Sequence, residues 1–462
     1  MKNELKEKYG LPTAIALVVG IVVGSGVFFK SDKVLNATGG NLPLGILAWA
    51  LGGVVMITCA CTFSIMATKY RNVNGVVDYA EAVTTSRFAY YINWFTTMIY
   101  YPAMTSVLAW VSARYTGVIF GWDITGPQVM TLAGIYLIGA FVLNALTPKL
   151  AGKFQVSATI IKLVPLVLMA VVGTIVGLIN GLTIENFTTI VKEVEGGIGK
   201  GLFTALVATS FAYEGWIVAT SINAELKNAK RNLPLALILG SLVTVGIYIL
   251  YYIGLAGGAT NAELMNNGQE GAVMAFKKIF GNAAGTILFV FVVISCLGTL
   301  NGLTLASSRG MYSMAVRGEG INPEKFRSVD KTTNVPTNSA IFGLLICMLW
   351  LVFFYGSNLA PKPWFGRVAF DSSELPIITV YAFYIPIFIM MMIKEKELGV
   401  FKRFVMPILA TISCIFIIIA TFFAHPIEGI LWYLLVFVII MIISAFFEKS
   451  NKFVKKREQV NE

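Results

Sequence analysis

Apolar runs of about 20 residues alternate along the chain with short segments that hold nearly all of its charge. Twelve such runs can be drawn, at 11–36, 43–68, 88–113, 128–147, 153–179, 199–222, 233–257, 284–307, 337–355, 375–393, 403–424 and 428–447. Each matches a hydrocarbon core of ~30 Å at a rise of ~1.5 Å per residue. Backbone in lipid must satisfy its own hydrogen bonds, so every run is expected to be a helix. The period-2 alternation of a membrane barrel is absent. The expectation is an all-α polytopic membrane protein with 12 transmembrane helices and no separate soluble domain.

Two of the runs are not plain helices. The first contains Gly20 and then Gly24-Ser25-Gly26-Val27-Phe28, and the sixth contains Phe211-Ala212-Tyr213-Glu214-Gly215-Trp216. A glycine costs about 1 kcal/mol in a helix interior, and an acidic residue at the bilayer centre costs at least about 2.5 kcal/mol. Both are tolerable where the backbone unwinds to line a cavity. A Gly20-xxx-Gly24 spacing alone is a common packing pattern. A second interruption five spans later changes the reading, because a unit of five crossings re-enters the membrane inverted. Matched breaks in the first helix of each half mark an inverted-repeat transporter. The expected division is residues 1–180 for the first repeat, 181–395 for the second, and 396–462 for two appended helices and a basic tail.

Each break leaves carbonyls at the end of one half-helix and free N–H groups at the start of the next. The first attracts a cation and the second an anion. Backbone alone can then hold an ammonium and a carboxylate a few ångströms apart, which fits an α-amino acid and needs no charged side chain.

Composition supports the membrane reading: 57% of the 462 residues are hydrophobic and 13% charged, against about 25% charged in soluble domains, and the mean hydropathy is +0.77. Of the 35 Lys and Arg, 25 fall on the face carrying both termini, nine on the other, and Lys162 lies inside a span. The positive-inside bias predicts two cytoplasmic termini in a multi-pass cell-membrane protein. It also accounts for the net charge of +11 without nucleic acid as a partner. The first apolar run is too long for a signal peptide and is expected to be retained. All five cysteines lie within spans, so they read as small packing residues and imply no disulfide framework.

At the two breaks the sequence resembles a known family. Gly24-Ser25-Gly26-Val27-Phe28 is similar to the Gly-Ser-Gly-Ile-Phe signature of the amino acid–polyamine–organocation (APC) superfamily. Phe211-Ala-Tyr-Glu-Gly-Trp216 resembles its span-6 motif, above all in the L-type amino acid transporter branch. The stretches Asn223–Pro234 and Asn301–Tyr312 agree as well, so the likeness runs the length of the chain. It implies a LeuT-like fold and sodium-independent transport of small neutral L-amino acids such as alanine, serine and cysteine, by exchange, with proton-coupled symport as the alternative. It further implies that Ser25 and Gly26 meet the substrate carboxylate, with Gly24 beside them. Val22 and the Phe211 carbonyl would meet the ammonium, and the Phe211 ring would act as a gate. Tyr213 and Trp216 stand between cavity wall and helix packing, and Glu214 has no settled role, since some relatives carry a small residue there. A departure occurs at Asn72-Val-Asn-Gly75-Val-Val-Asp-Tyr79, in a loop away from the substrate. The loop at 114–127 lacks the cysteine through which animal members bind a glycoprotein subunit, so no disulfide-linked heavy subunit is expected.

Lys162 stands nine residues beyond Lys153, a rise of about 13 Å that brings it near the midplane. Its ammonium is expected inside the bundle against backbone carbonyls of span 1 and polar groups of span 8, with Ser295 and Thr299 as candidate partners and Asn301 in the same gating and coupling group. The resemblance implies that Lys162 replaces the sodium ion of sodium-coupled relatives. His425 is the lone histidine and reads as a structural residue at the outer end of span 11; one histidine and no cysteine cluster support no metal or other cofactor. Arg309 and Arg317 read as loop anchors. An intramembrane enzyme would want a Ser/His pair, paired aspartates or a histidine-rich motif, and a channel would want a charged ring or filter repeat; the chain has none of these.

Overall fold

The structure, a computed structural model, describes residues 10–70, 75–217, 226–333 and 335–448. Asn72–Asn74, Asn223–Glu225 and the basic tail lie outside the described residues. Inner and outer denote below the faces that the Lys and Arg bias predicts.

Among the described residues the chain forms helices and turns and no strand. In order they are α1 (Leu11–Val22), α2 (Gly26–Ala37), α3 (Leu42–Lys69), α4 (Val76–Val83), α5 (Ser86–Phe95), α6 (Tyr101–Phe120), α7 (Pro127–Leu146), α8 (Pro148–Leu168), α9 (Thr174–Ile179), α10 (Leu182–Thr188) and α11 (Gly197–Ala212). There follow α12 (Ala229–Ala256), α13 (Asn261–Phe280), α14 (Asn282–Ala315), α15 (Pro323–Phe326), α16 (Thr337–Asn358), α17 (Leu375–Lys394), α18 (Met406–Ala424) and α19 (Ile427–Ala445). Among the described residues nine helices are long and apolar enough to cross a membrane, and the shorter apolar helices Leu11–Gly20 and Gly197–Ala212 belong to the two interrupted runs.

Local chemistry explains the helix ends. The Asn41 side chain accepts from Leu44 N at the start of α3, and Thr85 does the same for Phe88 N in α5. Thr260 and Glu263 form a reciprocal capping box on α13. The third run stays helical from Ser86 to Phe120 with a π turn at Thr96–Tyr100. Pro102 has no N–H to offer the carbonyl of Met98, and the Trp350 indole donates to that carbonyl instead at 3.0 Å.

Small residues let helices meet backbone to backbone. A Cβ on Gly254 of α12 would lie 2.1 Å from Met169 O, and one on Gly257 would lie 2.1 Å from Gly173 O. Spans 5 and 7 therefore cross without intervening side chains, which is how membrane helices gain contact in a solvent as apolar as themselves. The five cysteines are all buried and unpaired in disulfides. At the inner face Arg317 binds Asp78, donates to Glu81 at 2.8 Å, and so ties α4 to the end of α14. Lys69 and Tyr70 both bond Glu395, fixing the inner end of α3 to that of α17.

Candidate functional site

Both expected interruptions are present, and they touch. The first run stops at Val22 and resumes at Gly26; the second stops at Ala212 and turns through Gly215, whose φ of +102° is a conformation that favours glycine. A Cβ on Gly26 would sit 2.4 Å from Ala212 Cα, so the start of α2 lies directly on the end of α11. Gly26, expected to meet the substrate carboxylate, lies where the two breaks cross, and its missing side chain permits that crossing.

Four carbonyls at the ends of the broken helices have identified donors. Val19 O accepts from Val23 N within the chain. Gly20 O, which has lost its helical donor, accepts from the Lys162 ammonium. Val22 O and Ala212 O are 3.1 and 3.2 Å from the hydroxyl of Tyr248 on α12, which bridges the C-terminal ends of α1 and α11. On the other side of the first break, the N–H groups of Gly26, Val27 and Phe28 precede the first intrahelical bond, Phe29 N to Ser25 O at 2.9 Å. The Ser25 hydroxyl is buried beside them and makes no hydrogen bond among the described residues. Carbonyls and N–H groups thus face one small region from opposite helix ends.

Lys162 is buried at 3% exposure, and among the described residues its hydrogen bond runs to span 1 alone. The expected link to Ser295 and Thr299 is not made: Thr299 Oγ1 donates back to Ser295 O at 3.1 Å, and the Ser295 hydroxyl is buried without a partner among the described residues. Thr299 bears on the break differently, lying 3.1 Å from where a Gly24 Cβ would be. Asn301 sits toward the inner face and binds Gln155 Oε1 at 3.0 Å and the Asn144 amide at 2.9 Å, joining α7, α8 and α14. It is held in this scaffold network and not beside Lys162, because it lies at the level of Gln155, two helical turns from the lysine.

The aromatic residues divide by direction. Phe211 meets Phe29 edge-on at 5.5 Å and covers the outer side of the breaks. Tyr213 donates to Trp49 O at 2.9 Å and packs on Tyr248, and Trp216 is fully buried against Phe63 and Tyr384. Glu214 faces inward. Its carboxylate accepts from the Tyr100 hydroxyl at 2.7 Å and has no ion-pair partner among the described residues. It borders a cavity of about 310 Å³ that also touches Tyr101, Asn93 and Arg309 and reaches Gly75 at the inner face.

Helix ends that present carbonyls and N–H groups to one region have the chemistry to hold a small zwitterion. The amino acid permease model matches residues 9–446. This chain belongs to the amino acid permease family. The permease is similar to the serine/threonine exchanger SteT of Bacillus subtilis (strain 168), 28% identical over 426 residues that cover 91% of this chain and 92% of that one. The human b(0,+)-type amino acid transporter 1 is 25% identical over 426 residues, covering 92% and 84%. The human cystine/glutamate transporter is 28% identical over 356 residues, covering 76% and 69%. A solved structure, MhsT in complex with L-phenylalanine, superposes with a TM-score of 0.59 at 16% identity over 92% of the permease and 100% of that chain. The fold is accordingly LeuT-like, and the permease is a membrane transporter, not an enzyme.

Sequence reasoning did not find Tyr248 or Tyr100 in the permease. Tyrosines are ordinary in membrane helices, and nothing local marks the one whose hydroxyl meets two broken helices.

Proposed function

We propose that the permease is a sodium-independent exchanger of small neutral L-amino acids such as alanine, serine and cysteine, working by alternating access in the cell membrane with both termini cytoplasmic. Residues 1–180 and 181–395 would be its inverted repeats, and 396–462 the appended helices. The observation that carries the reading is the Tyr248 hydroxyl between Val22 O and Ala212 O. A substrate ammonium would join or displace that hydroxyl at the two carbonyl ends, and the carboxylate would meet the N–H groups at the start of α2 beside Ser25. Phe211 covers this region, which suits a small side chain.

Lys162 supports sodium independence, because its ammonium already supplies a positive charge to Gly20 O. A proton-coupled symporter is the second reading. Glu214 favours it: its partly buried carboxylate lines the inner cavity with no cation beside it among the described residues, which is costly unless it takes a proton. Counterflow of L-alanine in proteoliposomes, with and without sodium and a pH gradient, separates the two. Exchange that ignores both gradients supports the exchanger; accumulation driven by the pH gradient alone would replace it.

Tyr248→Phe should raise the KM for L-alanine roughly tenfold, since it removes the one hydroxyl proton that Val22 O and Ala212 O share and with it the link between the two helix ends. An unchanged KM in the same counterflow assay would remove the tyrosine from the site.

A further inference from the structure

The outer face carries only nine of the 35 Lys and Arg, because the charge bias of membrane proteins disfavours them there. Lys30 and Lys33 pair with Glu374, Lys33 also with Asp371, and Lys278 with Glu263. Lys362 and Arg367, in the segment between α16 and α17, are both exposed, and neither has a hydrogen bond or ion pair among the described residues.

That segment is seated on the outer end of α16. Trp364 N donates to Gly356 O and Val368 N to Phe365 O, each at 3.0 Å. Trp364 meets Tyr355 edge-on with ring centroids 4.9 Å apart, and Phe365 stacks on Phe353 at 5.3 Å. A Cβ on Gly356 would lie 2.7 Å from the Phe365 ring and 2.9 Å from that of Trp364, so this glycine leaves room for both. Pro361 and Pro363 restrict the backbone on either side of Lys362. Trp364 is nevertheless 59% exposed, and tryptophan is enriched at the headgroup level of a bilayer.

Phe353, under Phe365, lines a groove of about 340 Å³ between α16 and α19. Trp94 of α5 and Met98 of the π turn close it from a third side, and every side chain lining it is apolar. Its two indole N–H groups are occupied, Trp94 with Ile440 O at 3.1 Å and Trp350 with Met98 O at 3.0 Å. The groove therefore offers little to a polar occupant and suits hydrocarbon. Its walls run from Ile346 to Phe353 and from Val436 to Ile443, about 10 Å along each helix. The carboxylate nearest its outer end without an ion pair among the described residues is Glu428, beside Gly429, where a Cβ would lie 3.4 Å from Ala369 O. Two cations against one carboxylate leave this end positive.

We propose that this face binds one anionic phospholipid of the outer leaflet, with its phosphate between Lys362 and Arg367 and an acyl chain in the groove. Lys and Arg hold phosphate oxygens by charge-assisted hydrogen bonds, and the chain covers apolar wall that α16 and α19 leave open. An apolar groove alone takes any chain, and a surface cation alone takes any anion. The contact of Phe365 with Phe353 joins the two features and so selects a molecule that has both. The site is independent of the substrate and of how transport is coupled.

Native mass spectrometry of the full chain, titrated in detergent with dioleoyl phosphatidylglycerol, phosphatidylethanolamine or phosphatidylcholine, tests it. One phosphatidylglycerol should bind at least fivefold more tightly than either other lipid. Lys362→Gln combined with Arg367→Gln, at exposed positions, should lower that affinity roughly tenfold and abolish the preference. Lys192→Gln combined with Lys200→Gln removes the same charge elsewhere on the outer face and should leave binding unchanged. Val436→Trp, which fills the groove, should weaken all three lipids. Equal loss in both charge-removing pairs, equal affinity for the three lipids, or a preference for phosphatidylethanolamine would overturn the site. A dimer that Val436→Trp splits would also overturn it and assign the face to a second copy of the chain.

Discussion

Lys162→Ala should cut amino acid exchange by roughly ten- to a hundredfold while the protein still folds and inserts. The estimate follows from one interaction. A hydrogen bond to a charged donor contributes about 1.5–3 kcal/mol, and every 1.4 kcal/mol is about tenfold. The lysine donates to Gly20 O, a carbonyl that the break at Val23–Ser25 has deprived of its helical partner. Removing the ammonium leaves that buried carbonyl unpaired and the end of α1 free to shift against α8. Stability is expected to change far less than activity, because α1 also packs on α8 through Gly20 against Thr159, and the break itself packs on α14 through Gly24 against Thr299. Lys162→Met, which keeps the length and loses the charge, should fail in the same way. Wild-type uptake should be flat across a sodium gradient. Uptake that rises steeply with sodium, or an alanine variant that exchanges at the wild-type rate, would remove Lys162 from the coupling machinery.

Gly26→Val is expected to abolish substrate binding, and Gly26→Ala should come close. A single methyl there would lie 2.4 Å from Ala212 Cα, about 1 Å inside an ordinary contact, and misplacement on that scale can cost on the order of 100-fold. The displaced groups would be the two helix ends that Tyr248 joins, so the carbonyls of Val22 and Ala212 would part. Gly139→Ala on α7 is the control, because nothing lies within 4 Å of a Cβ at that position. Binding measured by scintillation proximity with L-alanine should be lost in the Gly26 variants and kept in the control. A Gly26→Val protein that binds normally would place the substrate elsewhere.

Much of this was legible along the chain. Apolar run length and the distribution of Lys and Arg determined a helical membrane protein, because the bilayer imposes its thickness and its charge bias on every sequence that spans it. The cluster Gly24-Ser25-Gly26 and the motif around Glu214 marked the two breaks, since small residues and a carboxylate at mid-membrane depth make sense only where helix gives way to cavity. Lys162 declared itself by depth alone. The tertiary structure decided what each of these touches. It brought Gly26 against Ala212, gave both helix ends to Tyr248, and turned Tyr213 and Trp216 away into packing. It confined Lys162 to span 1 and held Asn301 with Gln155. It also joined Lys30 to Glu374 across 344 residues of sequence, a pairing with no local sign. Period and composition report how each segment meets its solvent. Partners so far apart along the chain are set by the crossing of helices, which small residues such as Gly26 and Gly254 permit and no single segment encodes.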